Sequence, residues 1–146
     1  SFDSESAVRA RVDELIELMG LARYRQKHIR QLSTGSRRIV DLACVVAHRP
    51  TVVLLDEPSS GIAQREVEAL SPVLLRMRDE MGASLLVIEH DMNMLASIAD
   101  RVIALDQGTI IATGNPEAVL TDPLVVTAYL GTDRSAIERS GARPTT

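Results

Sequence analysis

Lysine is nearly absent: among 16 basic residues only Lys27 is a lysine, and it stands between Gln26 and His28. Any chemistry that needs a lysine preceded by glycine, such as a glycine-rich phosphate cradle, is therefore missing from these 146 residues. Aromatic residues make up 2% and tryptophan is absent. The core must be aliphatic, and stacking platforms for single-stranded nucleic acid are not expected. Cys44 is the single cysteine, which excludes an internal disulfide and a cysteine zinc cluster and leads us to expect it in the core. No apolar run approaches the roughly 18 residues of a membrane span. The net charge of −4 provides no basic footprint, so nucleic acid is not an expected partner. The first residues, SFDSESAV, lack a basic segment and an apolar leader and read as a start inside a longer polypeptide.

What is present is ordinary soluble composition, 45% apolar and 25% charged, in a length sufficient for a real core. Val8, Val12, Leu15, Ile16 and Met19 recur at helical spacing, with Ser4 or Ser6 as cap and Gly20 as stop. A polar, basic segment from Arg23 to Arg30 follows. Ser33-Thr34-Gly35-Ser36 then opens a second helical pattern through Ile39, Leu42, Ala43 and Val46, ended by His48-Arg49-Pro50.

From Thr51 the pattern changes. TVVLL is short, β-branched and apolar throughout, the signature of a parallel strand covered on both faces. A helix is predicted from Gln64 to Met81, with Val67, Leu70, Leu74 and Met77 on one side. SLLVI is a second buried strand, DMNMLASIA a short helix, and RVIALDQGTIIAT a hairpin turning at Asp106-Gln107-Gly108. Helices over Pro116–Leu120 and Pro123–Leu130 complete an α/β alternation, followed by a polar tail over 132–146 that is expected to be disordered.

Chemistry concentrates at three places. Asp56 and Glu57 end an apolar strand, where α/β folds expose ligand-binding side chains. One carboxylate suits Mg²⁺, a hard cation preferring oxygen, and the other suits orienting a water for phosphoryl transfer. Alone, the pair also reads as an acidic turn before Pro58. Ser33 to Ser36 begin a helix whose free N–H groups attract phosphate, though a simple N-cap explains them as well. Arg37 and Arg38 read as solvated or interfacial. His90 ends the second strand at an equivalent position, where it suits a γ-phosphate or an attacking water, or simple exposure.

Taken in order, these residues resemble an ABC-type ATPase over nearly the whole chain to Gly131. Leu32-Ser33-Thr34-Gly35-Ser36 looks like the LSGGQ signature, with Thr34 in place of the first Gly and Ser36 in place of Gln. Val52 to Glu57 looks like the Walker B strand, Ser59-Ser60-Gly61-Ile62-Ala63 like the D-loop without its acid, and His90 like the switch histidine. The resemblance implies a partial P-loop NTPase, RecA-like parallel sheet. It also implies part of an ABC helical subdomain over 1–48, the Walker B to switch-histidine portion over 49–131, and a C-terminal hairpin.

It further implies ATP and Mg²⁺ as cofactors, Asp56 on the Mg²⁺ side through water, Glu57 and His90 as catalytic residues, and nucleotide contacts from Ser33, Thr34, Gly35, Ser36, Ser60 and Gly61. VIEHDM, DQGTIIATG and VVTAYLG look most like ATPases of branched-chain amino acid importers. A second ATPase domain and a membrane permease are the implied partners, at the cytoplasmic side of the membrane, peripheral or fused to the permease. G-x-x-x-x-G-K-[ST] is nowhere in the chain, so the chain alone is expected to be inactive. Two other readings remain: a non-hydrolysing module donating its signature to a partner, and an ABC ATPase outside transport.

Overall fold

In a computed structural model, residues 4–130 are described, in two compact units, one through Ile88 and one from Glu89 onward. The polar tail falls outside the described residues.

The first unit opens with α1 (Glu5–Leu18), capped by the Ser4 side chain, which accepts the Ala7 N–H. Gly20 follows in the left-handed region, as the sequence predicts for a helix stop. The basic segment folds as two short 3-10 turns, Ala22–Tyr24 and Ile29–Gln31. Next comes α2 (Thr34–Ala47), whose C-terminal cap is His48, with Arg49 left-handed after it.

β1 (Val52–Asp56) and β2 (Ser84–Ile88) pair in parallel, Leu54 opposite Leu86 and Asp56 opposite Ile88, and α3 (Gln64–Met81) connects them. The apolar side of α3 is the densest part of this core: Leu70, Leu74 and Met77 are 0–1% exposed. Pro72 sits inside α3. It removes one backbone donor at a typical cost of about 3 kcal/mol, offset by the burial of Val67, Leu70, Val73 and Leu74 on either side of it.

Long side chains tie the helices together. Arg76 Nε donates to the Leu18 carbonyl at the end of α1 (2.7 Å), and Arg11 Nη2 donates to the Val46 carbonyl at the end of α2 (3.3 Å). The Leu18 carbonyl is one that a helix end leaves without an intrahelical partner, and the Val46 carbonyl also accepts the Arg49 N–H at 2.9 Å.

Two expectations are corrected here. Cys44 is exposed. It lies on the wall of an open apolar cleft between α1, the 3-10 turns and α2, while Leu42 and Val46 supply the helix's buried contacts. The β1 strand is not covered on both faces. Val53 is buried, but Val52 and Leu54 are exposed, as are Leu86 and Ile88 on β2. Two strands and their helices bury one side of this small sheet and leave the other apolar and open.

The second unit contains α4 (Met92–Ile98), the antiparallel pair β3 (Val102–Asp106) and β4 (Thr109–Gly114), α5 (Pro116–Leu120) and α6 (Pro123–Leu130). Gln107 and Gly108 both have positive φ, 46° and 80°, the two-residue turn that matches the right-handed strand twist. Asn115 caps α5 by accepting the Ala118 N–H at 2.8 Å, with Pro116 in the first turn where its missing donor costs nothing. Val102, Ala104, Val119 and Val125 form a separate core.

Candidate functional site

The N-terminus of α2 is built from local rules. Ser33 has an extended backbone, its Oγ accepts the Ser36 N–H at 3.2 Å, and its carbonyl accepts the Arg37 N–H at 2.9 Å. Ser33 and Thr34 are exposed, while Gly35 and Ser36 are buried. Arg37 turns back to donate from Nε to the Leu32 carbonyl (3.1 Å), so it braces the entry to the helix.

Gly35 is required by a close approach. A Cβ there would stand 2.7 Å from Glu66 Cβ and 3.1 Å from Glu66 Oε1. Glu66 lies in the first turn of α3, and hydrogen bonds from Ser33, then from the Ala63 and Gly35 backbone, hold its carboxyl below the ordinary glutamate value. One carboxylate therefore joins the starts of α2 and α3. Sequence reasoning missed Glu66. The available signal was a glutamate three residues after the extended Ala63, the third position of a helix, where a carboxylate accepts free backbone N–H groups.

At the tip of β1, Asp56 is the last strand residue and is exposed. Glu57 departs from the strand with φ 45°, a left-handed conformation that costs roughly 1–3 kcal/mol in a non-glycine residue unless its surroundings enforce it. Its N–H donates to the Ile88 carbonyl at 2.8 Å, and its own carbonyl accepts the Ser60 N–H at 3.0 Å. The alternation that separates neighbouring side chains along a strand thus ends at Asp56, and the turn sets the direction of Glu57. Ser60 and Gly61 stand exposed on the same turn, with Ser59 buried beneath. Gly61 has φ 73° and nothing within 4 Å of its Cβ position, leaving room for a ligand to approach the backbone.

The fit to a cation is limited and specific. Among the described residues no group of three or more His, Cys, Asp or Glu side chains converges. Asp56 by itself suits a Mg²⁺ that takes most of its ligands from water and phosphate. In the second unit, His90 is largely exposed just after β2, at the turn into α4.

Residues 3–60 match the model of the ABC transporter family, and residues 109–135 match that of the branched-chain amino acid ATP-binding cassette transporter. The high-affinity branched-chain amino acid transport ATP-binding protein LivG of Escherichia coli K12 is 31% identical over 128 residues, 88% of this chain and 50% of LivG. Its counterpart BraF of Pseudomonas aeruginosa is 33% identical over 116 residues, 80% of this chain and 46% of BraF.

Among solved structures, the ADP conformation of MJ1267, an ATP-binding cassette of an ABC transporter, superposes with a TM-score of 0.76 at 26% identity, over 88% of this chain and 52% of that one. The cbiO1 protein of Clostridium perfringens, part of the ABC transporter complex cbiONQ, gives 0.75 at 28% identity, over 93% and 55%. The chain spans about half the length of the curated relatives it matches. It belongs to the ABC transporter ATP-binding family, carries part of that family's α/β fold, and is homologous to the LivG and BraF transport ATPases.

Proposed function

We propose that this chain is the signature-to-switch-histidine portion of an ATPase that powers membrane transport, working at a head-to-tail interface between two such domains. The observation that carries the proposal is the tip of β1. Glu57 is held in a strained left-handed conformation directly after an exposed Asp56, with both of its backbone polar groups tied down. Strain of that kind persists where surroundings enforce it, and it is concentrated at working sites.

In this reading Glu57 orients and deprotonates the attacking water, and Asp56 holds a water of a Mg²⁺ ion that neutralises phosphate charge. His90 fixes the γ-phosphate or the water. Ser33, Thr34, Gly35 and Ser36 offer the start of α2 to nucleotide held by a partner domain, with Ser60 and Gly61 beside them in the same interface. Residues 1–48 act as part of the helical subdomain and 49–131 as part of the RecA-like core. A membrane permease at the cytoplasmic face is the proposed partner, and the homology to LivG and BraF supports branched-chain amino acids or related small molecules as cargo. Among the described residues no helix is long and apolar enough to cross a membrane.

Because the chain has no G-x-x-x-x-G-K-[ST], it hydrolyses nothing alone in this proposal. The test joins it to a phosphate-loop-bearing half from a homologous transport ATPase and measures ATP turnover and ATP binding. Glu57→Gln is expected to lower turnover at least 100-fold and leave binding within about threefold, the range for losing a general base. Turnover retained within tenfold overturns the assignment.

A further inference from the structure

The start of α2 already holds an anion of this chain's own. A helix start leaves its first four N–H groups, here those of Ser33 to Ser36, without acceptors inside the helix. Side chains of the chain take two of the four. Ser33 Oγ accepts the Ser36 N–H at 3.2 Å, and the Glu66 carboxylate accepts the Gly35 N–H. The same carboxylate bonds the Ser33 side chain. Packing fixes its place. With no Cβ on Gly35, Glu66 comes so near that its Cβ, Cδ and Oε1 lie 2.7, 2.9 and 3.1 Å from where that atom would stand.

Its own helix gives this half-buried carboxylate a second resting place. Ala63 caps α3 with an extended backbone and no side-chain bond. Glu66, three residues on, bonds the Ala63 backbone instead, beside the positive charge of Arg65. One carboxylate thus serves two helix starts, and only its bonds to α2 lie where a ligand of α2 would bind. A backbone N–H is a single donor, so a phosphate oxygen and a carboxylate oxygen compete for it. They also repel each other as like charges.

We propose that Glu66 is an internal anion lodged at the start of α2, and that phosphate reaches the Gly35 N–H and the Ser33 hydroxyl only by displacing it. The inference rests on the proposed function for the source of that phosphate, a nucleotide held by a partner domain. Displacement breaks the bonds to α2 and leaves those at the start of α3. Glu66 therefore sets the phosphate concentration at which the start of α2 responds.

The test is a titration of the whole ¹⁵N-labelled chain with inorganic tripolyphosphate, at fixed neutral pH and constant ionic strength, followed at the Ser33 and Gly35 amides. Glu66→Gln keeps the shape of the side chain and removes its charge. The half-saturating concentration at Gly35 is expected to fall about fivefold in that variant, the scale of one charge acting at a helix end. Glu66→Ala removes the acceptor as well and is expected to fall at least as far, which covers the case of the glutamine amide taking over the same bonds. The Ala7 amide at the start of α1 reports general charge effects and is expected to respond alike in all three proteins.

A half-saturating concentration that stays the same or rises in both variants overturns the proposal, because Glu66 would then be indifferent or helpful to phosphate. The absence of a saturable Gly35 shift in all three proteins overturns it too. No turnover enters these readings. A failed Glu57 assignment leaves displacement at Gly35 decided by them, and a failed displacement leaves the Glu57 assignment standing.

Discussion

The two strand pairs in this chain have solved the same problem to different degrees. The hairpin β3–β4 is closed by a two-residue turn and buries Val102 and Ala104 against Val119 and Val125 of the helices that follow it in sequence. The parallel pair β1–β2 needs an 18-residue helix to connect it and still leaves Leu54 at 71% and Leu86 at 59% exposure, opposite each other in register. Local closure lets an antiparallel pair find its cover nearby. Parallel strands are normally covered on both faces, and their alternate side chains stay apolar in anticipation of both. The lesson is that uninterrupted apolarity in β1 records the cover the strand is built for. In the hairpin Val102 and Ala104 are covered while Ile103, Leu105 and Ile110 stand 48–60% exposed, so its second face is also open, to a lesser degree.

The sharpest way to break that comparison is at the centre of the first core. Met77→Ala removes a side chain with no exposure, a change that typically costs about 2–5 kcal/mol. Hydrogen exchange is expected to show lost protection for the amides of Val46 and Leu74, with protection at Val102 and Ala104 retained. Equal loss in both sets would mean that the two units share one cooperative unit. Next in size is Gly35→Ala, whose new methyl group meets Glu66 Cβ at 2.7 Å. Overpacking of this kind costs roughly 1–3 kcal/mol. Denaturant unfolding is the measurement, and a cost below 0.5 kcal/mol would show that α2 and α3 separate easily.

A smaller effect is expected in the second unit. Tyr129 Oη donates to the Leu105 carbonyl at 2.5 Å and accepts the Leu105 N–H at 3.3 Å, beside the register shift between Ala104 and Leu105. One hydroxyl thus bonds both backbone groups of Leu105, which stands next to the register shift and faces Ile110 on β4. Tyr129→Phe is expected to cost about 1 kcal/mol, the net value of a typical hydrogen bond or two at a half-exposed position, and to speed exchange of the Leu105 amide. Unchanged exchange would show that the ladder needs no such clip.

Much of this architecture was legible in the residue order. Apolar spacing located α3 from Gln64 to Met81 and β2 from Ser84 to Ile88 with their observed limits, because long periodic helices and short β-branched runs have few alternatives. The Gln107-Gly108 turn was legible because few dipeptides tolerate two positive φ values. The open face of β1 was not legible, since a strand's composition does not say which neighbours are present. Cys44 was misjudged for a related reason: its helix position marked a side that α1 only partly closes. The candidate site divided the same way. Residue types and spacing singled out Asp56, Glu57 and His90, but the role of Glu66 depends on a side chain reaching backbone groups, which spacing does not encode.

The smallest effect expected concerns the charged side chains that join the helices of the first unit. Glu66 is the instance that titrates. Its folded value is depressed by bonds from Ser33, Ala63 and Gly35, so the contribution is present above the unfolded value of an ordinary glutamate and is lost as pH falls through the folded one. The carboxyl lies near the surface, where solvent screens the effect, and global stability is expected to change little.

The local reporter is the Gly35 amide. Its ¹⁵N shift should titrate with a midpoint below the ordinary glutamate range, and in Glu66→Gln the step should vanish. The Ala118 amide, capped by the neutral Asn115, should show no such step. A Gly35 midpoint at the ordinary value would mean that the carboxylate does not hold the two helix starts together. The tie between α2 and α3 would then rest on apolar packing alone.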